Sequence, residues 1–215
     1  MKELTQAKQQ ICDAGRRLLA MDLVAGTWGN VSVRLDQERM LITPSGIAYE
    51  NMTPEDIAEV NLKDGAYTGK KPSSEKNLHL ESYRTRKSVH AIVHNHASHS
   101  STVAAARREV PPILDDMAQI VGPSVRVAKY ALPSTGKLVR HTVKALKGRN
   151  AALLANHGAI CVGRDIEEAI LCCQVLEKAC KSLIEAEFLG GAKGINKFEA
   201  WVMHQYYLKK YSRQG

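Results

Sequence analysis

The sequence predicts a single mixed α/β domain built mainly on antiparallel strands. Three observations carry this prediction. Helical and two-residue periodicities alternate along the chain, turn residues join consecutive strand patterns into hairpins, and no linker or composition shift divides the 215 residues. Strands joined by tight turns must run antiparallel, which argues against a doubly wound parallel sheet.

The elements follow in order. Leu4, Ile11, Leu18 and Leu19 form an apolar stripe with Lys8, Gln9, Arg16 and Arg17 largely outside it, so a helix is expected over 5–21, ending before Gly26. Residues 30–35 alternate, with Val31, Val33 and Leu35 on one face, and read as a strand. Asp36-Gln37-Glu38 turns the chain into a return strand over 40–43, which Pro44-Ser45-Gly46 breaks. Thr53-Pro54-Glu55-Asp56 opens a short helix, with Thr53 as cap and Pro54 in the first position. Lys63-Asp64-Gly65 joins strand patterns at 57–61 and 66–68. A helix over 75–86, a strand at 91–94 and a small helix near 100–107 come next, while 110–122 carries no clear pattern. A strand at 125–128, a helix over 135–147 and a strand at 151–155 precede a long helix over 165–187, opened by an Asp165/Glu168 capping box. Gly190-Gly191-Ala192-Lys193-Gly194 interrupts the chain before a last helix over 198–210, so 1–215 is expected to be one domain with a mobile segment at 190–215.

Hydrophobic residues make up 44% and charged residues 24%, which excludes a disordered chain. No apolar run approaches the roughly 20 residues that span a bilayer. The N-terminus lacks the apolar core of a secretory signal, so a cytoplasmic protein is expected. The net charge of +8 favours anionic partners, among which a phosphorylated metabolite is preferred to nucleic acid. Only 2 Trp and 2 Phe are available for stacking, and no zinc-finger or RNP signature occurs. The 5 cysteines include no CxxC and read as buried thiols.

Residues 90–99 carry the densest chemical signal. His94 and His96 lie two apart, on one face of a strand, and His157 follows the apolar strand at 151–155. Three imidazoles arranged in this way suit a zinc site with an open position, or a hydrogen-bonded histidine cluster. Gly26-Thr27-Trp28-Gly29-Asn30, Thr43-Pro44-Ser45-Gly46 and Pro72-Ser73-Ser74 offer backbone amides and hydroxyls to an oxyanion, or are simple turns. Neither GxxxxGK[ST] nor GxGxxG is present, so nucleotide sites are unsupported. Glu75 suits a helix start, and beside a metal it suits acid–base work.

In this order, Gly29-Asn30, Thr43-Pro44-Ser45-Gly46, Pro72-Ser73-Ser74-Glu75, His94-Asn95-His96 and Asn156-His157-Gly158 resemble the motifs of the class II aldolase/adducin family, from about residue 7 to 187. The resemblance implies a three-layer α/β/α sandwich around a mainly antiparallel sheet, in a homotetramer with active sites at subunit interfaces. It implies a zinc-dependent lyase of carbohydrate metabolism that reversibly cleaves a ketose 1-phosphate to dihydroxyacetone phosphate and a small aldehyde. His94, His96 and His157 match the ligands of Zn2+ or another divalent metal. Glu75 matches the catalytic acid/base. Gly29, Asn30, Thr43, Ser73 and Ser74 match the phosphate pocket, with Ser45 and Gly46 beside it. Epimerase members carry Asp where this chain has Glu75, which favours aldolase chemistry. Where the aldolases place a neighbouring subunit's tyrosine, this chain offers Asp115. Tyr206, Tyr207 and Tyr211 are candidates for a C-terminal catalytic tyrosine. Epimerases, dehydratases and decarboxylases share the scaffold, and the adducin branch is a metal-free interaction module.

Overall fold

The computed structural model describes residues 2–211. Eight strands form one sheet in the order β4-β3-β2-β1-β5-β8-β7-β6. They are β1 (Asn30–Arg34), β2 (Arg39–Ile42), β3 (Ala58–Asn61), β4 (Tyr67–Thr68), β5 (Ala91–Asn95), β6 (Val127–Ala128), β7 (Ala151–Leu154) and β8 (Gly158–Gly163). Every pairing is antiparallel except β6 with β7. The helices are α1 (Lys2–Ala20), α2 (Lys76–Thr85), α3 (Ser98–Ala105), α4 (Gly136–Leu146), α5 (Ile166–Glu187) and α6 (Lys197–Tyr211).

Alternation along the strands divides the core in two. Val31, Leu41, Val93, Leu153 and Cys161 point to one face, where Ile11 and Leu18 of α1, Val103 of α3 and Leu176 of α5 cover them. Met40, Ile42, Val60, Ile92, Leu154 and Ile160 point to the other, where Leu78 and Tyr83 of α2 and Leu146 of α4 cover them. The result is the expected sandwich of helices around a mainly antiparallel sheet. Ile92 is wholly buried, and truncating such a side chain to alanine costs about 2–5 kcal/mol.

Strand β8 has no counterpart in the sequence reading. Gly158–Gly163 is buried on both faces, so it shows no alternation, and glycine at each end resembles a turn. The patternless stretch contains a single π-helical segment, Met117–Val121, on which α6 docks through His204 Nδ1 and the Gln119 carbonyl at 2.7 Å. The capping box of α5 forms only in part. Asp165 accepts from the Glu168 amide at 2.7 Å, but the Glu168 carboxylate turns to the amide and guanidinium of Arg164. All five cysteines are buried and free.

Register positions the site. Asn30 pairs with His94 across β1 and β5, Asn95 with Ala159 across β5 and β8, and Leu154 with Gly158 across β7 and β8. The start of β1, the end of β5 and the β7–β8 turn therefore meet at one end of the sheet.

Candidate active site

His94 lies near the end of β5 and is wholly buried. Its Nδ1 donates to the Ala159 carbonyl at 2.8 Å, which fixes the ring and aims Nε2 out of the sheet end. His96, just past the strand, brings its Nε2 to 2.9 Å from that of His94. His157 comes from the β7–β8 turn. There Asn156 holds a left-handed φ of 56°, and its Oδ1 accepts from Arg107 Nε and Nη2 at 3.1 and 2.9 Å. One nitrogen from each of the three rings lies within 4.8 Å of the others. Glu75, the residue before α2, places Oε2 3.0 Å from His94 Nε2 and Oε1 3.6 Å from His157 Nε2.

Two glycines permit this convergence. Gly29 has φ +83°, and a Cβ there would stand 2.7 Å from the His94 carbonyl oxygen. A Cβ on Gly158 would stand 2.3 Å from that of Asn95.

Burial and the neighbouring histidines push His96 down to about 3, and the same causes lower His157. Burial works against charge on Glu75, but His94, His157 and the Asn30 amide outweigh it and hold the carboxyl well below the usual carboxylate range. His96 and His157 are thus held neutral beside the Glu75 carboxylate. Glu75 Oε1 and His157 Nδ1 are buried without hydrogen-bond partners. Three imidazole nitrogens converging within 4.8 Å beside a carboxylate form a nitrogen–oxygen set that fits a divalent metal.

A cleft of about 540 Å³ opens beside the cluster. Gly29, Asn30, Ser45, Gly46, Ser73 and Ser74 line it together with Glu75, His96 and His157. The serine loops are tied by Ser45 N to the Lys71 carbonyl at 2.9 Å and Ser73 N to the Thr43 carbonyl at 3.0 Å. Thr43 itself is buried behind the cleft, its Oγ1 accepting from the Val31 amide at 3.2 Å. Asn30 is also committed elsewhere. Its Nδ2 donates to Glu75 Oε2 at 3.3 Å, and its Oδ1 meets His79 Nε2 at 2.5 Å. No motif in the sequence points to the side chains of Trp28, Pro133 or His79. Trp28 is 66% exposed on the rim with its ring 5.6 Å from that of His96, and Pro133 forms part of the wall. An indole bracketed by glycines and left in water was the available signal.

Among the described side chains, the remaining candidates do not line this cleft. Asp115 is exposed and away from it. Tyr206 is exposed, with Lys210 Nζ 6.0 Å above its ring. Tyr207 packs against Arg164, whose guanidinium carbon lies 5.5 Å from the ring centroid, and it hydrogen-bonds Glu168. Arg164 follows the far end of β8, whereas His157 precedes its near end. The side chain of Tyr211 lies outside the described residues.

A histidine–carboxylate metal centre at the edge of an α/β/α sandwich defines a class of divalent-metal enzyme. The family model described as class II aldolase and adducin N-terminal domain matches residues 9–184. The chain belongs to the class II aldolase and adducin family. It is 39% identical over 168 residues to L-fuculose phosphate aldolase of Escherichia coli (strain K12), covering 78% of each protein. It is 38% identical over 186 residues to the 5-methylthioribulose-1-phosphate/5-deoxyribulose-1-phosphate aldolase of Rhodospirillum rubrum, covering 83% of each. A solved L-fuculose 1-phosphate aldolase superposes with a TM-score of 0.90 at 32% identity, covering 94% of this chain and 96% of that one. This protein is thus a class II aldolase-like enzyme with a histidine metal-binding triad. No helix among the described residues is long and apolar enough to cross a membrane.

Proposed function

We propose that the enzyme cleaves a ketose 1-phosphate, with L-fuculose 1-phosphate as the first candidate, reversibly to dihydroxyacetone phosphate and a small aldehyde. The observation that carries this reading is Glu75 Oε2 at 3.0 Å from His94 Nε2, inside a cluster that opens on a serine-lined cleft. His94, His96 and His157 would hold Zn2+, which as a Lewis acid would polarise the ketose carbonyl.

The residues then divide the work. Ser73, Ser74 and the Gly29 and Gly46 backbones bind the phosphate and orient the sugar, with Ser45 beside them and Thr43 supporting the loop from behind. Cleavage breaks the C3–C4 bond and leaves its electron pair on C3. Glu75, ionised at rest, must first take up a proton from solvent in the open cleft before giving it to C3, and in condensation its carboxylate removes one. The C4 hydroxyl must lose its proton as it becomes the aldehyde. Among the described residues, no acid, base or tyrosine of the same chain lines the cleft for that step besides Glu75 and the histidines. This supports a homotetramer in which a neighbour contributes Asp115 or one of Tyr206, Tyr207 and Tyr211. Exposed Phe188, Leu189, Phe198 and Trp201 supply apolar surface for such contacts. Five free thiols suit a reducing, cytoplasmic setting.

The relatives from Escherichia coli and Rhodospirillum rubrum share the phosphorylated end of their named substrates and differ at the aldehyde end. Zinc-loaded enzyme is therefore given L-fuculose 1-phosphate and, in parallel, 5-deoxyribulose 1-phosphate, with dihydroxyacetone phosphate as readout and a chelated control. Chelator-sensitive release at about 1 per second or faster supports the reading. Epimerised or decarboxylated product, or no turnover by metal-replete enzyme, rejects it.

A further inference from the structure

We infer that His79 is a positioning residue that fixes the orientation of the Asn30 amide, and through it the Glu75 carboxylate, by means of a buried hydrogen-bond chain reaching back to Tyr83. The inference rests on the reading of Glu75 as the acid/base. Two stripes of side chains meet here. Glu75, His79 and Tyr83 recur every four residues at the start of α2 and along it, and Asn30 and Ser32 recur every two along β1. Tyr83 Oη lies 2.8 Å from Ser32 Oγ, Ser32 Oγ 2.6 Å from His79 Nδ1, and His79 Nε2 2.5 Å from Asn30 Oδ1. Asn30 Nδ2 completes the chain at 3.3 Å from Glu75 Oε2. His79, Ser32 and Tyr83 are fully buried, so no water substitutes for a missing partner.

Proton counting sets the direction. Burial pushes the His79 ring down to about 3, so it is neutral, with one donor and one acceptor nitrogen. Asn30 turns its NH2 toward Glu75 Oε2 and its oxygen toward His79 Nε2. His79 must then donate from Nε2 and accept at Nδ1. Ser32 gives its proton to Nδ1, and Tyr83 gives its own to Ser32. The opposite tautomer would turn the Asn30 oxygen against the carboxylate. The tautomer of His79, two contacts away, therefore decides which amide atom Glu75 meets.

Two measurements test this. Side-chain 15N NMR of the metal-loaded enzyme is expected to show His79 neutral and protonated at Nε2. Protonation at Nδ1 would overturn the inference, and this readout needs no turnover. Steady-state kinetics of metal-replete variants form the second arm. His79→Leu is expected to lower kcat about 10- to 100-fold with KM within about twofold, the signature of a misplaced catalytic group rather than lost substrate binding. His79→Gln, whose amide also offers an N–H to Asn30, should recover part of that loss. Ser32→Ala removes one oxygen, and should lower kcat about 5-fold or more even if His79→Leu fails to fold. Unchanged kcat in folded Ser32→Ala and His79→Gln, or a loss confined to KM, rejects the role. A wild-type enzyme that fails to cleave either ketose phosphate would instead reject the functional reading while leaving the tautomer result standing.

Discussion

Asn30 and His94 face one another as register partners across β1 and β5, although 64 positions separate them in the chain. Antiparallel pairing thereby sets a buried amide beside the first histidine of the triad. Glu75 enters from the start of α2 and completes the contact, with Asn30 Nδ2 and His94 Nε2 both on Oε2. The histidine cluster and the serine cleft thus meet at Glu75, placed by strand register and by loops tied through backbone hydrogen bonds.

His94→Ala should lose metal and activity together. His94 is the most deeply buried of the three rings, and its Nδ1 is anchored to the Ala159 carbonyl. Elemental analysis should find less than about a tenth of the wild-type metal content, because two imidazoles do not replace three. Full activity at that content would sink the ligand assignment.

Ser73→Ala should act on binding. The phosphate is remote from the bond that breaks, so its contacts hold ground state and transition state alike. A hydrogen bond to a charged group contributes about 1.5–3 kcal/mol, so KM should rise about 10- to 100-fold with kcat changed far less. Steady-state kinetics that reverse this pattern would place Ser73 in the chemical step. Ser73 Oγ also accepts from the Glu75 amide at 3.3 Å, so a modest fall in kcat is expected alongside.

Much of this site was legible in the sequence because each motif brings its own geometry. His94 and His96 share a strand face at a spacing of two, and His157 follows a second apolar strand. The parts that were not legible have physical causes. β8 is buried on both faces, so the alternation that reveals a strand is absent. Asn30 and Ser32 form a polar strand face, which ordinarily marks solvent, yet α2 covers it with His79 and Tyr83. Partner atoms decide such a face, and a linear pattern does not carry them. The same limit applies to Thr43, whose hydroxyl oxygen accepts from the Val31 amide and keeps its own proton to donate.

Acid should destabilise the metal-free protein well above the range where carboxylates titrate. Burial depresses His79 to about 3 from an ordinary value of 6.5, and His96 is depressed as far. Below pH 6.5 the unfolded chain takes up these protons and the folded chain does not. Stability is therefore complete above 6.5 and is lost progressively as pH falls toward 3. Urea midpoints of chelated protein should decline across that window. His79→Gln should reduce the slope by about one proton taken up on unfolding. A slope unchanged by that substitution would mean that His79 titrates normally in the fold.

Tyr207→Phe separates packing from catalysis at the C-terminal helix. The hydroxyl is joined to Glu168 beside Arg164, at the end of β8 opposite His157, and burial raises its pKa. A catalytic tyrosine must present its hydroxyl to substrate, whereas this one is already engaged with a carboxylate that also holds the Arg164 guanidinium. Removing the oxygen should lower stability by about 1 kcal/mol and leave kcat within about twofold. A fall in kcat of about tenfold or more at unchanged melting temperature would show that Tyr207 leaves Glu168 to serve a neighbouring chain's cleft. That result would single out Tyr207 from Asp115, Tyr206 and Tyr211 as the proton-transfer group.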